Sequence, residues 1–438
     1  MSSEAIVAAR AFDGNALLDH LHMLSKIAPS ISGGYTRTAF SPAFVAGRTM
    51  VTEILQGQGF ITTIDVVGNF TCCLKGTNPT KGAIVIGSHL DTVIGGGLLD
   101  GAYGVLAGLG TLLAISKSGI TLEHSVILCG FINEEGANGT TAMLGSRAAA
   151  GRLGDSDLSE IDQNGTSLKT LIAGVGGDLN SFREADLTSK YSLEAYLELH
   201  IEQGPILERD AIEVGVVNAI TGRALFNVEF VGTASHAGTT PMQGRSDALI
   251  AAARYVLEVC EIACNGSVRV ATCGDLEVVD GARNTIPGLV RITAELRDDS
   301  AQRIRAALEH LELFSKTLSI DTEVGVVMNV IDIVAPSPTD PRLREIIRTA
   351  STLLGKSVCE MSSGAGHDAQ SFAGVVPIGL IFVPSIDGIS HSGKEDSLDR
   401  DLISGGEVLT AAVVLLDRAL THSNRSGLTG MTETTESR

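Results

Sequence analysis

Histidines and acidic residues stand at the ends of several apolar runs of this chain. The clearest case is GSHLD at 87–91, which follows the apolar run AIVI at 83–86. His89 and Asp91 are two positions apart, so both side chains project to the same side of an extended chain. The carboxylate can then hold one imidazole nitrogen while the other nitrogen faces a metal ion. Asp100, which follows a glycine triplet, offers a further oxygen ligand; the alternative is a turn in which Asp100 caps a helix.

Further candidate ligands end three other apolar runs. Glu134 and Glu135 follow the apolar run at 125–132 and, being adjacent, point to different sides. One can bind a metal ion while the other faces water or substrate, although an isolated Glu-Glu pair is more often a solvated acidic turn. His200 ends a strongly alternating strand pattern, where a lone histidine is more often structural, and His391 lies beyond a fourth apolar run.

These residues together predict a metal centre. Five of them could bind metal ions: His89, Asp100, Glu135, His200 and His391. Imidazoles and carboxylates suit zinc, or manganese, cobalt or nickel in an open site. With one shared aspartate they would hold two divalent ions about 3.5–4 Å apart. Such ions activate a bridging water and polarise a carbonyl, and Glu134 could pass the proton of that water to a leaving nitrogen. The pattern therefore predicts hydrolysis of an amide-like bond.

Composition limits the class of protein. A chain of 438 residues exceeds one ordinary core, so we expect two domains. The net charge of −19 argues against nucleic acid or an anionic membrane as a partner. No apolar stretch is long enough to span a bilayer, and no secretory signal is evident. The seven cysteines show no disulfide or zinc pattern, which favours a reducing compartment, so we expect a cytoplasmic protein.

The order of helical and strand patterns predicts an α/β fold. Residues 1–211 and 332–420 alternate between buried strands and helices, which indicates one catalytic domain with a mixed sheet and helices on both faces. Residues 212–331 form a β-rich insert with two helices, which indicates a smaller α+β domain. Residues 421–438 are polar and lack aromatics, and we expect a disordered tail there.

The chain resembles the amidohydrolase branch of the dinuclear-metal aminopeptidase and aminoacylase superfamily. That branch contains N-carbamoyl-L-amino-acid hydrolases, allantoate and ureidoglycolate amidohydrolases, and β-ureidopropionases. The matching segments follow the order of the family along nearly the whole chain: 87–101, 133–136, ELHIEQGPILE at 198–208, GTASHAGTTPM at 232–242, 281–298, SGAGHDA at 363–369 and 382–392.

The resemblance implies a role for each candidate metal ligand. It implies that one ion is bound by His89, Asp100 and His200. A second ion would be bound by Asp100, Glu135 and His391. Glu134 would be the general base, and Asp91 the acid that orients its neighbours.

The resemblance also implies a set of substrate contacts, Gln203, His236, Asn284 and Arg297. The last three lie on the insert, which in the family is a lid and forms the dimer interface, so we expect a homodimer. Arg297 can clamp a substrate carboxylate with two parallel hydrogen bonds. His236 and Asn284 can donate hydrogen bonds to the oxyanion that forms during attack, which makes His236 a catalytic residue too.

The activity implied is hydrolysis of an N-carbamoyl-L-amino acid to the amino acid, ammonia and carbon dioxide. The small-molecule substrate would be a ureido or amide compound that carries a carboxylate. Allantoate or ureidoglycolate hydrolysis remains open because the motifs are shared. On the substrate side, Gly95 departs from the pattern of the family, and Leu99 departs from the pattern of the carbamoylases. Gln203 disfavours an N-acyl amino acid hydrolase. The intact Glu134 disfavours a catalytically silent binding protein.

Overall fold

The computed structural model describes residues 2–31 and 33–429. The described residues form two compact units, the first lying within 1–218, 339–361 and 367–438, and the second comprising 219–338 and 362–366. From the sequence we expect the insert to span residues 212–331. The main segment of the second unit, 219–338, is shifted by seven residues, and the unit also includes the short segment 362–366. Within the described ranges, no helix combines the length and the apolar character needed to cross a membrane.

The described chain contains helices α1–α12 and strands β1–β15. The helices are α1 Ser2–Arg10, α2 Gly14–Leu24, α3 Pro42–Gly57, α4 Ala102–Ser118, α5 Leu144–Ala149, α6 Leu168–Gly174, α7 Ile206–Arg209, α8 Ala248–Cys264, α9 Ala301–Thr322, α10 Pro341–Leu353, α11 Ala369–Phe372 and α12 Asp399–Thr429. The strands are β1 Thr62–Ile64, β2 Phe70–Leu74, β3 Ala83–His89, β4 Ser125–Phe131, β5 Leu193–Ile201, β6 Val214–Ile220, β7 Gly222–Val231, β8 Ser235–His236, β9 Val270–Val279, β10 Thr285–Ile286, β11 Leu289–Asp298, β12 Gly325–Val334, β13 Ser337–Pro338, β14 Val358–Ser363 and β15 Ile378–Val383.

The first unit is built on a mixed sheet, as the sequence predicts. Its strand order is β1-β2-β4-β3-β5-β15-β6. The central strands β4, β3, β5 and β15 are mutually parallel, whereas β2 and β6 pair antiparallel at either side. Every residue of β3 and β15 is buried, which is typical of strands covered on both faces.

Helices cover both faces of this sheet. Gly108 of α4 lies against Leu128 of β4, whereas the ring of Phe372 in α11 lies 6.0 Å from the ring of Phe131, also in β4. Leu128 and Phe131 are an odd number of positions apart, so their side chains point to opposite faces. The two helices therefore lie on opposite sides, as predicted for an α/β fold.

The second unit is an α+β structure. Its antiparallel sheet has the order β12-β7-β11-β9, and burial alternates along β7 because only one face is covered. Helices α8 and α9 supply the cover, with Tyr255 of α8 packed edge-on against Phe230 at 5.6 Å between ring centroids. A short pair, β8 with β10, carries His236 opposite Thr285.

The last helix is longer than the sequence predicts. We expect a closing helix at 406–420 and a disordered tail from residue 421, but α12 extends from Asp399 to Thr429. Polar composition alone does not end a helix, because the exposed face of a helix is polar as well. Residues 430–438 of the predicted tail lie outside the described residues.

We expect Gly104→Ala to destabilise the first unit. A Cβ at Gly104 would lie 2.1 Å from the carbonyl oxygen of Leu199, so α4 would have to move away from β5. Overpacking of this kind costs about 1–3 kcal/mol, which thermal or denaturant unfolding would measure. The matched control is Gly57→Ala, where no heavy atom lies within 4 Å. Equal effects of the two substitutions would contradict the packing argument.

Candidate metal centre and active site

The candidate site lies at one edge of the main sheet. His89 is the last residue of β3, and Glu134 and Glu135 follow the end of β4. His200 lies near the end of β5, and His391 lies in the loop that follows β15. Because these four strands are parallel neighbours, their carboxyl ends meet at the same edge of the sheet. Side chains far apart in sequence therefore converge there.

Two clusters of possible ligands share Asp100. In the first, Oδ1 of Asp100 lies 3.1 Å from Nε2 of His200 and 3.5 Å from Nε2 of His89. In the second, Nε2 of His391 lies 3.1 Å from Oδ2 of Asp100 and 3.4 Å from Oε2 of Glu135. The ligand atoms of each cluster all lie within 4.8 Å of one another. The structure thus brings together the five residues named from the sequence as metal ligands.

The histidines are oriented as metal ligands would be. Nδ1 of His89 lies 3.0 Å from the carbonyl oxygen of Asp91, and Nδ1 of His200 lies 2.9 Å from that of Ile201. A carbonyl oxygen only accepts, so each Nδ1 carries a proton, and each Nε2 faces Asp100, where it can bind a metal ion once it has given up its own proton. Oε1 of Glu135 is also buried and has no hydrogen-bond partner among the described residues. Nitrogen and oxygen ligand atoms that converge in this way fit a divalent cation.

The predicted contact of the Asp91 carboxylate with His89 is wrong. Its Oδ1 and Oδ2 instead accept hydrogen bonds from the main-chain N–H groups of Glu134 and Glu135, each at 3.2 Å. The ring of His89 is satisfied by the nearer main-chain oxygen of Asp91, which leaves the carboxylate free to bind the neighbouring turn. Asp91 therefore orients the two glutamates through its carboxylate, and its hydrogen bond with His89 is made by its main-chain oxygen.

The alternative in which Asp100 caps a helix is excluded. Helix α4 begins at Ala102 after Gly101, and no described side chain caps it. Gly101 has a φ of +64°, and a Cβ there would lie 2.4 Å from the ring of His89. Glycine is required because the chain must turn sharply beside the imidazole.

Burial shapes the electrostatics of the two glutamates. Burial raises the pKa of Glu134 well above its usual range, and the charge of nearby His89 opposes this. Burial and the charge of Asp100 raise the pKa of Glu135 to about 7. Oε2 of Glu134 lies 3.9 Å from Nε2 of His89. A carboxyl group with a raised pKa suits a residue that takes up a proton and then returns it.

Asp100 is held in its ionised form. Burial opposes its charge, but hydrogen bonds from His200, His391 and His89 outweigh burial and hold the pKa of Asp100 well below its usual range. The same contact with Asp100 is the largest cause that raises the pKa of His391 to about 9. The shared carboxylate is therefore negative and can serve two cations at once.

Gln203 lies in the same site. Its Nε2 donates to Oδ2 of Asp100 at 2.9 Å and to Oγ of Ser390 at 3.1 Å. Gln203 and His391 have left-handed backbone, with φ of +58° and +53°, and so does Asn133 (φ +60°), next to Glu134. Such backbone is uncommon outside glycine and often marks functional positions.

Sequence reasoning missed two polar residues of the site, Ser390 and Glu395. The carboxylate of Glu395 accepts from the main-chain N–H of Asp100 at 3.0 Å and from the hydroxyl of Ser390 at 2.8 Å. The only signal in the sequence was the position of Glu395, four residues after His391. That spacing carries no motif.

The second unit holds the three remaining predicted residues. The main-chain N–H of Ala237 bonds the carbonyl oxygen of Asn284 at 2.9 Å, which places Asn284 beside the exposed His236. Nδ1 of His236 accepts from the N–H groups of Gly238 and Thr239, so Nε2 carries the proton and can donate. These two residues are therefore brought together as possible hydrogen-bond donors.

Arg297 is not a free clamp. Its Nε donates to Oε1 of Glu295 at 2.5 Å, its Nη2 to Oε2 of Glu295 at 3.3 Å, and its Nη1 to the carbonyl oxygen of Gly364 at 2.8 Å. The edge of the guanidinium that carries Nε and Nη2 is thus already paired with the carboxylate of Glu295, in the same strand. A substrate carboxylate would have to compete with Glu295.

Comparisons with known proteins give the same class of enzyme. Residues 85–414 match the peptidase family M20/M25/M40. An N-carbamoyl-L-amino-acid amidohydrolase of Paenarthrobacter aurescens is 36% identical over 88% of this chain and 94% of its own length. An allantoate amidohydrolase of Escherichia coli is 34% identical over 92% of this chain and 98% of its own length.

A solved structure resembles the whole fold. It is described as an amidase of the hydantoinase/carbamoylase family from Burkholderia multivorans. It superposes with a TM-score of 0.86 at 32% identity, covering 92% of this chain and 97% of its own.

We expect divalent ions to stabilise the protein after treatment with a chelator. A cation offsets the repulsion among the buried carboxylates, and a ligand at a hundred times its dissociation constant contributes about 2.7 kcal/mol. Melting temperature measured with and without Mn²⁺ or Zn²⁺ would show the shift. Asp100→Asn should lose most of it, whereas His310→Asn, at the exposed pair with Glu258, should keep it. A wild-type protein that shows no shift would contradict the assignment.

Proposed function

The chain belongs to peptidase family M20/M25/M40, and from this we propose that it is a metal-dependent amidohydrolase of N-carbamoyl-L-amino acids. The reaction cleaves the ureido C–N bond and gives the amino acid, ammonia and carbon dioxide. The observation that carries the proposal is Asp100, whose two carboxylate oxygens face separate groups of histidine and carboxylate ligands. This arrangement supports a site for two divalent ions.

The proposed ions are zinc, manganese, cobalt or nickel, because the ligands are imidazoles and carboxylates. One would be held by His89, Asp100 and His200, and the other by Asp100, Glu135 and His391. When bound, the pair supplies Lewis acidity that lowers the pKa of water and polarises the ureido carbonyl.

The chain supplies the proton transfer. Glu134 is 8% exposed, so little bulk water competes for its proton. We assign it to take the proton of the attacking water and to return it to the leaving nitrogen. Asp91 holds the main chain of Glu134 through a hydrogen bond, which fixes the direction of its carboxylate.

The second unit supplies groups suited to the substrate. We assign the protonated Nε2 of His236, and Asn284 beside it, to the carbonyl oxygen on which negative charge develops. Arg297 would exchange Glu295 for the carboxylate of the substrate. The roles of this unit as lid and dimer contact, and of Gln203 as substrate contact, are part of the same proposal.

Allantoate or ureidoglycolate is the second candidate substrate. The Escherichia coli relative with 34% identity is an allantoate amidohydrolase, and these substrates also combine a ureido group with a carboxylate. A screen for ammonia release with Mn²⁺ or Zn²⁺ over N-carbamoyl amino acids, allantoate, ureidoglycolate and simple amides would separate the candidates. The free state of all seven cysteines favours a reducing compartment, and we place the reaction in the cytoplasm.

We expect Glu134→Gln to abolish turnover while metal content stays near that of the wild type. The amide keeps the shape of the side chain but cannot accept and return a proton. A loss of about 10²–10⁴-fold in kcat is typical for removal of a general base. Steady-state kinetics and metal analysis on the same preparation would test this. Substantial residual activity would rule out the general-base role.

We expect Arg297→Ala to weaken only substrates that carry a carboxylate. A hydrogen bond to a charged group contributes about 1.5–3 kcal/mol, so kcat/KM should fall about 10–100-fold, while a neutral ureido analogue should change little. Glu295→Gln is the matched control, because it removes the internal competitor of the substrate and should leave KM equal or lower. Equal losses on charged and neutral substrates would remove the clamp role.

A further inference from the structure

Glu395 is a buried carboxylate that the proposed chemistry does not use. Its Oε1 accepts hydrogen bonds from the main-chain N–H of Leu99 at 2.9 Å and from that of Asp100 at 3.0 Å. Its Oε2 accepts from the hydroxyl of Ser390 at 2.8 Å. One side chain therefore ties the backbone at Asp100 to the loop that carries His391.

The hydroxyl of Ser390 extends this contact into a ring of hydrogen bonds. Its oxygen lies 2.8 Å from Glu395 and 3.5 Å from Oδ2 of Asp100, so its single proton goes to the nearer carboxylate. It then accepts from Nε2 of Gln203, which also donates to Asp100. The ring Glu395–Ser390–Gln203–Asp100 fixes Oδ2, the oxygen that faces His391.

The backbone around Glu395 leaves room for its carboxylate and for little else. A Cβ at Gly97 would lie 1.9 Å from Oε1 of Glu395. A Cβ at Gly393 would lie 2.3 Å from the main-chain nitrogen of Gly34, in the segment packed against this loop. Gly97 thus leaves room for the carboxylate of Glu395, and Gly393 lets the loop that carries His391 pack against the segment at Gly34.

A buried positive charge accompanies this arrangement. Arg37 is fully buried, and its Nε donates to the carbonyl oxygen of Leu90 at 2.7 Å. Its charge interacts favourably with Asp91 and with Glu395. This attraction opposes burial and the charge of Asp100 without cancelling them, since together they raise the pKa of Glu395.

We propose that Glu395 is a positioning residue that holds Asp100 and His391 in register, so that the ion between Asp100, Glu135 and His391 binds tightly only when Glu395 is present. This inference rests on the proposed two-ion function. All three partners of Glu395 are donors, so the role requires a hydrogen-bond acceptor rather than a negative charge. Glutamine can also fill this role, because its side-chain oxygen can accept hydrogen bonds from both N–H groups. Its NH₂ group can donate to the oxygen of Ser390, whose hydroxyl proton can then point toward Oδ2 of Asp100.

The test is a calorimetric titration of Mn²⁺ into the full chain after treatment with a chelator. We expect two ions per chain in the wild type. Glu395→Leu should keep one ion and weaken the other by about 10–100-fold, as is typical for loss of a group that orients a metal ligand. Glu395→Gln should bind both ions within about threefold of the wild type, because it keeps the acceptor.

Two further variants guard against a simple loss of folding. Asp417→Leu is the control, because Asp417 is likewise a buried carboxylate that accepts a main-chain N–H, in its case from His124. His124 precedes β4, and so lies at the opposite end of that strand from Glu134. It should lower the melting temperature without changing the affinity for Mn²⁺. Should Glu395→Leu not fold, Glu395→Asp takes its place, because its shorter carboxylate cannot reach both loops and should also weaken one ion by about tenfold.

Each outcome decides between the two proposals. A wild type that binds fewer than two ions overturns the proposed function and this inference with it. Two ions in the wild type with unchanged affinities in Glu395→Leu or Glu395→Asp overturn the inference alone. A Glu395→Gln variant as weak as Glu395→Leu also overturns it, because charge rather than acceptance would then be the requirement.

Discussion

The carboxylate of Asp100 is the constraint on which the rest of the site depends. Its two oxygens face different partners, His89 and His200 on one side and His391 on the other. A carboxylate can be shared only if groups from several strands reach it from opposite directions. The parallel arrangement of β4, β3, β5 and β15 meets this requirement, because the chain leaves each of these strands at the same edge of the sheet.

The orientation of the site is set mostly by backbone groups. Main-chain carbonyl oxygens hold the rings of His89 and His200, and main-chain N–H groups bind the carboxylates of Asp91 and Glu395. Backbone positions are fixed by the sheet and by the close packing of α4 on β5, so the fold transmits its rigidity directly to the ligands. The chemistry of the site and the packing of the core are therefore parts of the same structure.

Much of the site could be predicted from the sequence because strand ends leave a clear signal. An apolar run that stops at a histidine or an acid placed His89, Glu135 and His200 at one edge, and the mixed sheet followed from the same runs. The partners of Asp91 and Arg297 could not be predicted, because the alternation of side chains along a strand gives the side to which each points but not which hydrogen-bond partner it meets there. Glu395 was missed because one of its partners, the main-chain N–H of Leu99, lies almost 300 positions away in the sequence. The end of α12 was predicted too early, because a polar composition is common to solvated helices and disordered tails.

The left-handed backbone at Asn133, Gln203 and His391 limits how stable this protein can become. Each of these conformations costs free energy that glycine would not incur. Glycine at Gln203 or His391 would relieve the strain but remove the side chain that contacts Asp100. Selection for thermal stability and selection for turnover therefore act in opposite directions at these positions. Variants evolved only for heat resistance should drift toward glycine there and become well-folded proteins with an impaired site.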